Sequence, residues 1–358
     1  MSENKEVGPE FIACALQLAC NGVNLISDVA EARKRIAGTI EKIGGYATTA
    51  TNFMKFFYGV DCRLIALPEY AVTGFPMKES PAEWREKACF AYDGPEYEAL
   101  GKIAQDNNIF LAGNVYEVDP NFPQLYFQVC FIIGPSGDVI LRYRRLSSSF
   151  EPTPHDVWDK YLDIYGLDGV FPVAKTEIGN LAMIASEEIL YPEFTRMHVM
   201  RGAEVIIHPT SEPGSPQPTI KEIARRARAV ESMAYIVAAN SASIDNIPIP
   251  AYTCSAMSKI VDMHGHILAE AAQGGESMSA NAVLDIGALR RTRRRLGMAN
   301  ILSRQAYGLF AESYAQADFH RANFLLDDDG KVVEPLDRDI FRRRQADNVE
   351  RLIKAGLL

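Results

Sequence analysis

One α/β domain of sandwiched layers is the fold this sequence predicts. Three observations carry that expectation: apolar runs of strand length alternate with stretches of helical spacing throughout, no internal repeat divides the chain, and no low-complexity segment interrupts it. The first run, residues 11–19, is continuously apolar, as a strand covered on both faces would be. Ser27 and Asp28 can cap a following helix, whose stripe of Ala30, Ile36, Ile40 and Ile43 should stop at Gly44 and Gly45. Residues 63–67 read as a strand that breaks at Pro68-Glu69, which leaves a carboxylate at the C-terminal rim where α/β proteins gather their chemistry. Helical sequence over 95–105 leads into a strand at 109–116, then into strands at 125–133 and 139–143 joined by the turn Pro135-Ser136-Gly137. Residues 145–173 show little periodicity and read as a long loop with one short helix; loops of that length usually serve a function. Beyond it come a strand at 180–185, a helix opened by Pro192, a strand at 204–208, a helix over 221–232 and a strand at 235–239. Strands near 256–261, 267–271 and 280–284 precede a basic helical stretch, and from Asp327 the chain turns polar and charged. The expected organisation is one main domain over 10–310 and an extension over 311–358, an arm lying on a partner subunit or in solvent rather than in the core.

Composition narrows the function classes. With 358 residues, 47% of them hydrophobic and 23% charged, the chain can bury a large core. Its 37 basic and 46 acidic side chains give a net charge of -9, which opposes nonspecific attraction to nucleic acid or anionic lipid. Small molecules or other protein subunits are therefore the expected partners. No apolar stretch reaches the roughly 18 residues a bilayer span needs, and the opening MSENKEVGPEF lacks the basic and apolar regions of a signal peptide, so the expected location is the cytoplasm. The 6 cysteines are scattered without a C-x-x-C pair and read as buried free thiols. His264 and His266 flank a glycine in a probable hairpin and read as solvent-facing rather than metal-binding. The run LRRTRRRLG over 289–297 reads as a solvated helix face or a subunit contact, and Gly274-Gly275 as a turn.

Three strand-end motifs then occur in order: LIALPEYAVTGFP with Glu69, LRYRRLSSS with Arg145, and LAMIASEEILYPEFTR with Ser186. Together with RGAEVIIHPTSEP, RARAVESMAYIVAANSAS and YTCSAMSKIVDMHGHILAEA, they resemble the nitrilase, or carbon-nitrogen hydrolase, superfamily over about residues 10–310. That resemblance implies an α-β-β-α sandwich, commonly assembled as a homodimer or higher homo-oligomer, with a catalytic triad gathered at the strand rims. It also implies chemistry without a metal or organic cofactor. In the family, a glutamate takes the proton of a cysteine thiol, the thiolate attacks a nitrile or amide carbon, and a lysine stabilises the oxyanion. By the same alignment, the family's lysine falls on Arg145 and its cysteine, six residues before Pro192, on Ser186.

Both replacements alter the mechanism. A carboxylate of reference pKa about 4.3 faces a thiol near 8.5 across roughly four units, or about 6 kcal/mol. Against a hydroxyl taken at about 15.7, the gap is about eleven units, on the order of 15 kcal/mol for full ionisation. Serine hydrolases avoid this with a better base, and His155 in the long loop and His208 at a strand end are the histidines that could approach Ser186. Arginine supplies charge and a fork of donors but cannot exchange protons as lysine does. The rest of the expected pocket is polar: Glu187 and Glu188 follow Ser186, Glu151 lies six residues beyond Arg145, and Asn240 ends a strand. Two readings stay open. One is a hydrolase of small amides or related acyl compounds, with Glu69 as base, Arg145 as electrostatic stabiliser and Ser186 as nucleophile or positioner of water; transfer of the acyl group to an amine would use the same intermediate. The other is a non-catalytic protein of the same fold that binds a small ligand or scaffolds an assembly.

Overall fold

The computed structural model describes residues 8–317, 319–333, 336 and 338–358. The first seven residues, on which the expectation of no leader partly rests, lie outside the described residues, as do Asp318, Glu334, Pro335 and Asp337 of the extension.

The first apolar run divides between two sheets instead of forming one strand. β1 (Glu10–Ala15) joins the first sheet, and after Leu16-Gln17 the chain enters β2 (Leu18–Asn21), which pairs with a strand of the second. Gln17 is buried at the crossing, where its Nε2 donates to the carbonyls of Ala272 at 2.8 Å and Gly275 at 3.0 Å and its Oε1 accepts from Ser258 N at 2.9 Å. Those bonds satisfy backbone groups of Ala272, Gly275 and Ser258, which lie outside the strands.

The helix α1 (Val29–Tyr58) begins on the expected cap, Asp28, whose side chain accepts from Glu31 N at 2.8 Å. It runs through Gly44 and Gly45 and ends only at Gly59, whose φ of 69° is the left-handed closing conformation. Packing overrides helix propensity here: a Cβ on Gly44 would sit 3.2 Å from Ile103 Cγ1, so the missing side chain is what lets this helix approach its neighbour closely. Ala32, not Ala30, joins Ile36, Ile40 and Ile43 on the buried face.

β3 (Cys62–Ala66), α2 (Pro81–Ala88), α3 (Pro95–Asn107), β4 (Phe110–Val118), β5 (Tyr126–Ile133) and β6 (Val139–Arg144) complete the first half. The long segment after β6 is more helical than expected, with a 3-10 turn (Pro154–Val157) and α4 (Trp158–Val170). The second half runs through β7 (Ala174–Thr176), β8 (Gly179–Met183), α5 (Pro192–Met200), β9 (Val205–Thr210), α6 (Ile220–Ser232), β10 (Tyr235–Asp245), β11 (Lys259–Val261), β12 (Ile267–Glu270), β13 (Asn281–Asp285) and α7 (Ile286–Arg294), followed by α8 (Gly308–Gln316) and α9 (Arg338–Lys354).

One sheet has the order β13-β1-β3-β4-β5-β6, and the other β12-β11-β10-β9-β8-β7 with β2 on β10. Strand alternation sorts their side chains into layers. Leu64 and Ala66 meet Leu181, Met183, Val205 and Val237 between the sheets. Ile65 and Leu67 point the other way, into the cluster under α1 and α3, while Ala182, Ile206 and Ile236 pack under α5 and α6. The result is helix, sheet, sheet, helix. Each large aliphatic group so buried contributes roughly 1.5–3 kcal/mol.

The extension returns to the body. Leu325, Ile340 and Phe341 enter a buried cluster with Phe122, Phe127, Val157 and Tyr161, and Arg344 pairs with the buried Asp156, so this part of the tail belongs to the core after all. Among the described residues no helix is long and apolar enough to cross a membrane. Every cysteine is free, five of them buried. His264 and His266 are exposed, and Arg290 and Arg293 of the basic run tie α7 to Glu204 and to the carbonyls of Ala203 and Met233.

Candidate active site

Glu69 follows β3 by three residues, Arg145 follows β6 directly, and Ser186 lies three residues past β8, so the two sheets deliver their rims to one place. All three side chains are buried. Glu69 Oε1 accepts from Gln128 Nε2 at 2.8 Å and lies 3.5 Å from Arg145 Nη1, while its Oε2 accepts from the Ser211 hydroxyl at 2.8 Å. Arg145 is held along its whole fork: Nε donates to Ser147 O at 2.7 Å, Nη1 to Gln128 Oε1 at 2.8 Å, and Nη2 to the Glu187 carboxylate. Burial pulls the Arg145 guanidinium down, but the charges of Glu69 and Glu187 outweigh it and hold the group above its ordinary value.

Ser186 sits at an elbow. Its φ is 46°, left-handed for a residue with a side chain, and it opens the 3-10 turn Ser186–Leu190 immediately after the strand. Such a conformation costs on the order of 1–3 kcal/mol and persists only where the surroundings impose it. His208 imposes part of it, with Nε2 2.7 Å from the Ser186 carbonyl oxygen. Because Nε2 donates there and Nδ1 accepts from Arg225 Nε at 3.2 Å, the ring is neutral; burial first, then the Arg225 charge, keeps it well below the usual histidine range. His208 therefore reaches the backbone of Ser186, not its hydroxyl, and is no base for it as placed. His155 stands elsewhere, beside Trp158 and His320.

The hydroxyl has another neighbour. Lys221 Nζ, buried, is 3.0 Å from Ser186 Oγ and 3.5 Å from Thr210 Oγ1. Thr210 is followed in the chain by Ser211, whose hydroxyl reaches Glu69, so the contacts joining Ser186, Lys221 and Thr210 and those joining Ser211, Glu69, Arg145 and Glu187 meet at neighbouring residues of one strand end. The sequence reading missed Lys221, Gln128, Thr210 and Ser211. A signal for Lys221 existed: α6 buries Lys221, Arg225 and Arg228 while Ile220 and Ile223 face outward, the reverse of an ordinary amphipathic helix.

Glu188 and Asn240, expected beside a ligand, are turned into the protein. Glu188 Oε1 accepts from the backbone of Leu146 at 2.7 Å and Ser147 at 3.1 Å, and its Oε2 from Ala185 N at 3.0 Å and the Tyr143 hydroxyl at 2.7 Å. Burial leaves this carboxyl above its ordinary value even though Arg145 and those donors pull it down. Asn240 accepts from Glu212 N at 3.0 Å and donates to the carbonyls of Ser241 and Ala256, each at 3.0 Å. Glu187 alone of the pair reaches Arg145, from a half-exposed position. Glu151 receives the Tyr126 hydroxyl and lines a cleft of about 350 Å³ with Met77, Glu79, Phe150 and Phe341.

None of the thiols offers a ready substitute nucleophile near Glu69. Cys254, which feels the charges of Glu69 and Lys221, is pushed up to about 11 by burial, and Cys20 well above the usual thiol range by the same cause. Among the described residues, no group of three or more histidines, cysteines and carboxylates gathers as a metal site. The strand rims thus bring a hydroxyl with an amine beside it, and a carboxylate paired with a guanidinium, into the same buried region.

Comparison with known proteins agrees with this architecture. The omega-amidase NIT2 of Xenopus tropicalis is 23% identical over 235 residues, 65% of this chain and 80% of that protein. The formamidase of Helicobacter acinonychis (strain Sheeba) is 27% identical over 240 residues, 66% of this chain and 64% of that one. The crystal structure of a carbon-nitrogen hydrolase from Helicobacter pylori G27 superposes with a TM-score of 0.61 at 18% identity, covering 85% of this chain and 98% of that chain. The carbon-nitrogen hydrolase family model matches residues 22–294, and with the two-sheet sandwich that carries the site this establishes that the chain belongs to the carbon-nitrogen hydrolase family.

Proposed function

We propose that this protein hydrolyses the C–N bond of a small amide or related acyl compound through an acyl-serine intermediate. The observation that carries the reading is the burial of Glu69, Arg145 and the Ser186 elbow at the rims of both sheets, with Arg145 paired to Glu69 and to Glu187, the residue after Ser186. Ser186 stands where the family's cysteine is expected and Arg145 where its lysine is, so the hydroxyl attacks the carbonyl carbon and the guanidinium answers the negative charge that develops on its oxygen. Glu69, ordered by Gln128 and Ser211, accepts a proton from the water that later releases the acid. The named relatives, an omega-amidase and a formamidase, support a small amide as the substrate class.

A second reading, a ligand-binding or scaffolding member without turnover, is favoured by one feature: all three nitrogens of Arg145 already have protein acceptors. Intact-mass analysis during incubation with short amides separates the two. An acyl adduct on the wild type that Ser186→Ala abolishes supports the hydrolase. If no amide turns over and no adduct forms, the hydrolase reading is abandoned. We further propose a cytoplasmic homo-oligomer, supported by the free buried thiols and by the exposed Tyr191, Met200, Ile220 and Ile223 of the α5–α6 layer; light scattering in solution gives the subunit number.

A further inference from the structure

We infer that Lys221 is the catalytic base for Ser186, so that nucleophile and base form a serine–lysine dyad and Glu69 serves only the later hydrolytic step. This inference rests on the acyl-serine reading above. Its ground is geometric: Nζ lies 3.0 Å from the hydroxyl oxygen, within the reach of a general base. Among the described residues no carboxylate hydrogen-bonds Ser186 Oγ, and Glu69 has its oxygens on Gln128, Ser211 and Arg145. Lys221 is itself buried, and among the described residues its partners are the hydroxyls of Ser186 and Thr210, with no ion pair. The charged and titratable groups around it come from several elements: Arg225 on its own helix, His208 from β9, and Cys254 from the connection between β10 and β11.

The chemistry favours the amine. A neutral amine, whose conjugate acid has a reference pKa near 10.4, closes the gap to a hydroxyl at about 15.7 to roughly five units, against about eleven for a carboxylate. As the Oγ–C bond forms, the hydroxyl proton passes to Nζ. As the C–N bond breaks, the same proton passes to the departing nitrogen, leaving an acyl-serine, a free amine or ammonia, and a neutral lysine. Water then adds to the ester carbon while its proton goes to Glu69, and as the C–Oγ bond breaks and the acid leaves, that proton passes on to Ser186 Oγ, which returns Glu69 to its carboxylate. Arginine at this place could supply charge but not the exchange.

The test uses p-nitrophenyl acetate as acylating probe, with p-nitrophenolate release followed optically and the acetyl group mapped to Ser186 by peptide mass. Wild type, Lys221→Arg, Lys221→Met and Lys221→Ala are compared across pH 6–10, the last also with added n-propylamine. The dyad predicts acetylation at Ser186 slowed by about 100-fold or more in both Lys221→Arg and Lys221→Met, since a general base contributes roughly that much. It also predicts loss of the rise in rate with pH and partial recovery of Lys221→Ala by the amine. Thermal melting of each variant shows that it is folded, and amine recovery cannot come from a misfolded chain. If Lys221→Arg acylates within tenfold of wild type with the same pH profile, the dyad is wrong and the acyl-serine reading stands. If the wild type never acetylates Ser186, both fall.

Discussion

Glu188→Gln probes whether the two halves of the site are fastened to each other. The Glu188 carboxylate, next but one to Ser186, receives the backbone N–H groups of Leu146 and Ser147, which directly follow Arg145, together with Ala185 N–H and the Tyr143 hydroxyl. A glutamine must turn its amino group toward one pair of these donors. The least costly choice faces Tyr143, whose hydroxyl can reverse and accept, but it leaves Ala185 N–H pointing at another donor. One buried unpaired donor costs about 1–3 kcal/mol, and the opposite choice would orphan two. The variant is therefore expected to lose about 2 kcal/mol in urea unfolding, read as a lower midpoint at unchanged slope. Acylation of Ser186 should fall with it, because Ala185, the residue before Ser186, loses the acceptor of its backbone N–H. A loss below about 0.5 kcal/mol, the scatter of surface substitutions, would show that this carboxylate does not hold the two rims together.

Three further outcomes are expected. His198 is buried against the rings of Tyr143 and Phe171, at 5.2 and 5.7 Å, and burial, with the Arg201 charge adding, pushes it down to about 3 from 6.5. The unfolded chain thus binds the proton first as pH falls below 6.5, so stability drops with acid, by about 2 kcal/mol at pH 5 from this group; His198→Phe should remove that share of the slope, and an unchanged slope in urea titrations at several pH values would contradict the assignment. Gly101→Ala places a Cβ 2.5 Å from the Gly137 carbonyl oxygen, so overpacking of about 1–3 kcal/mol should exceed the gain of roughly 1 kcal/mol in helix propensity; a variant as stable as wild type would refute the close approach of α3 to that turn. Arg344→Met leaves Asp156 buried without its cation and should cost about 3–5 kcal/mol, with earlier proteolysis of the tail; full stability would mean that α9 does not dock as described.

The order of strands and helices was readable because each reports itself locally, through apolar period and turn chemistry. The strand-end positions of Glu69, Arg145 and Ser186 were readable because each lies in a recognisable motif after an apolar run. What escaped was tertiary. Nothing local says that the run beginning at Phe11 must change sheets at Gln17, or that Gly44 serves a neighbouring helix rather than a helix end. Glu188 and Asn240 look like pocket residues in the sequence because their donors and acceptors are backbone groups far along the chain. Lys221 carries a hint: the first turn of a helix favours anions, so a lysine there, on the inward face, calls for an explanation that the neighbouring hydroxyls of Ser186 and Thr210 supply.

The division of the first apolar run bears on how rigidly the two rims stay in register. Glu69 and Arg145 hang from one layer and Ser186 from the other, so a relative slide of the layers by an ångström would pull these three side chains out of register. The short tether at Leu16-Gln17, clamped by the Gln17 amide to Ala272, Gly275 and Ser258, leaves no slack for that shear. The sandwich is stitched along one seam, and its alignment is inherited from the covalent chain as well as from the packing between the sheets.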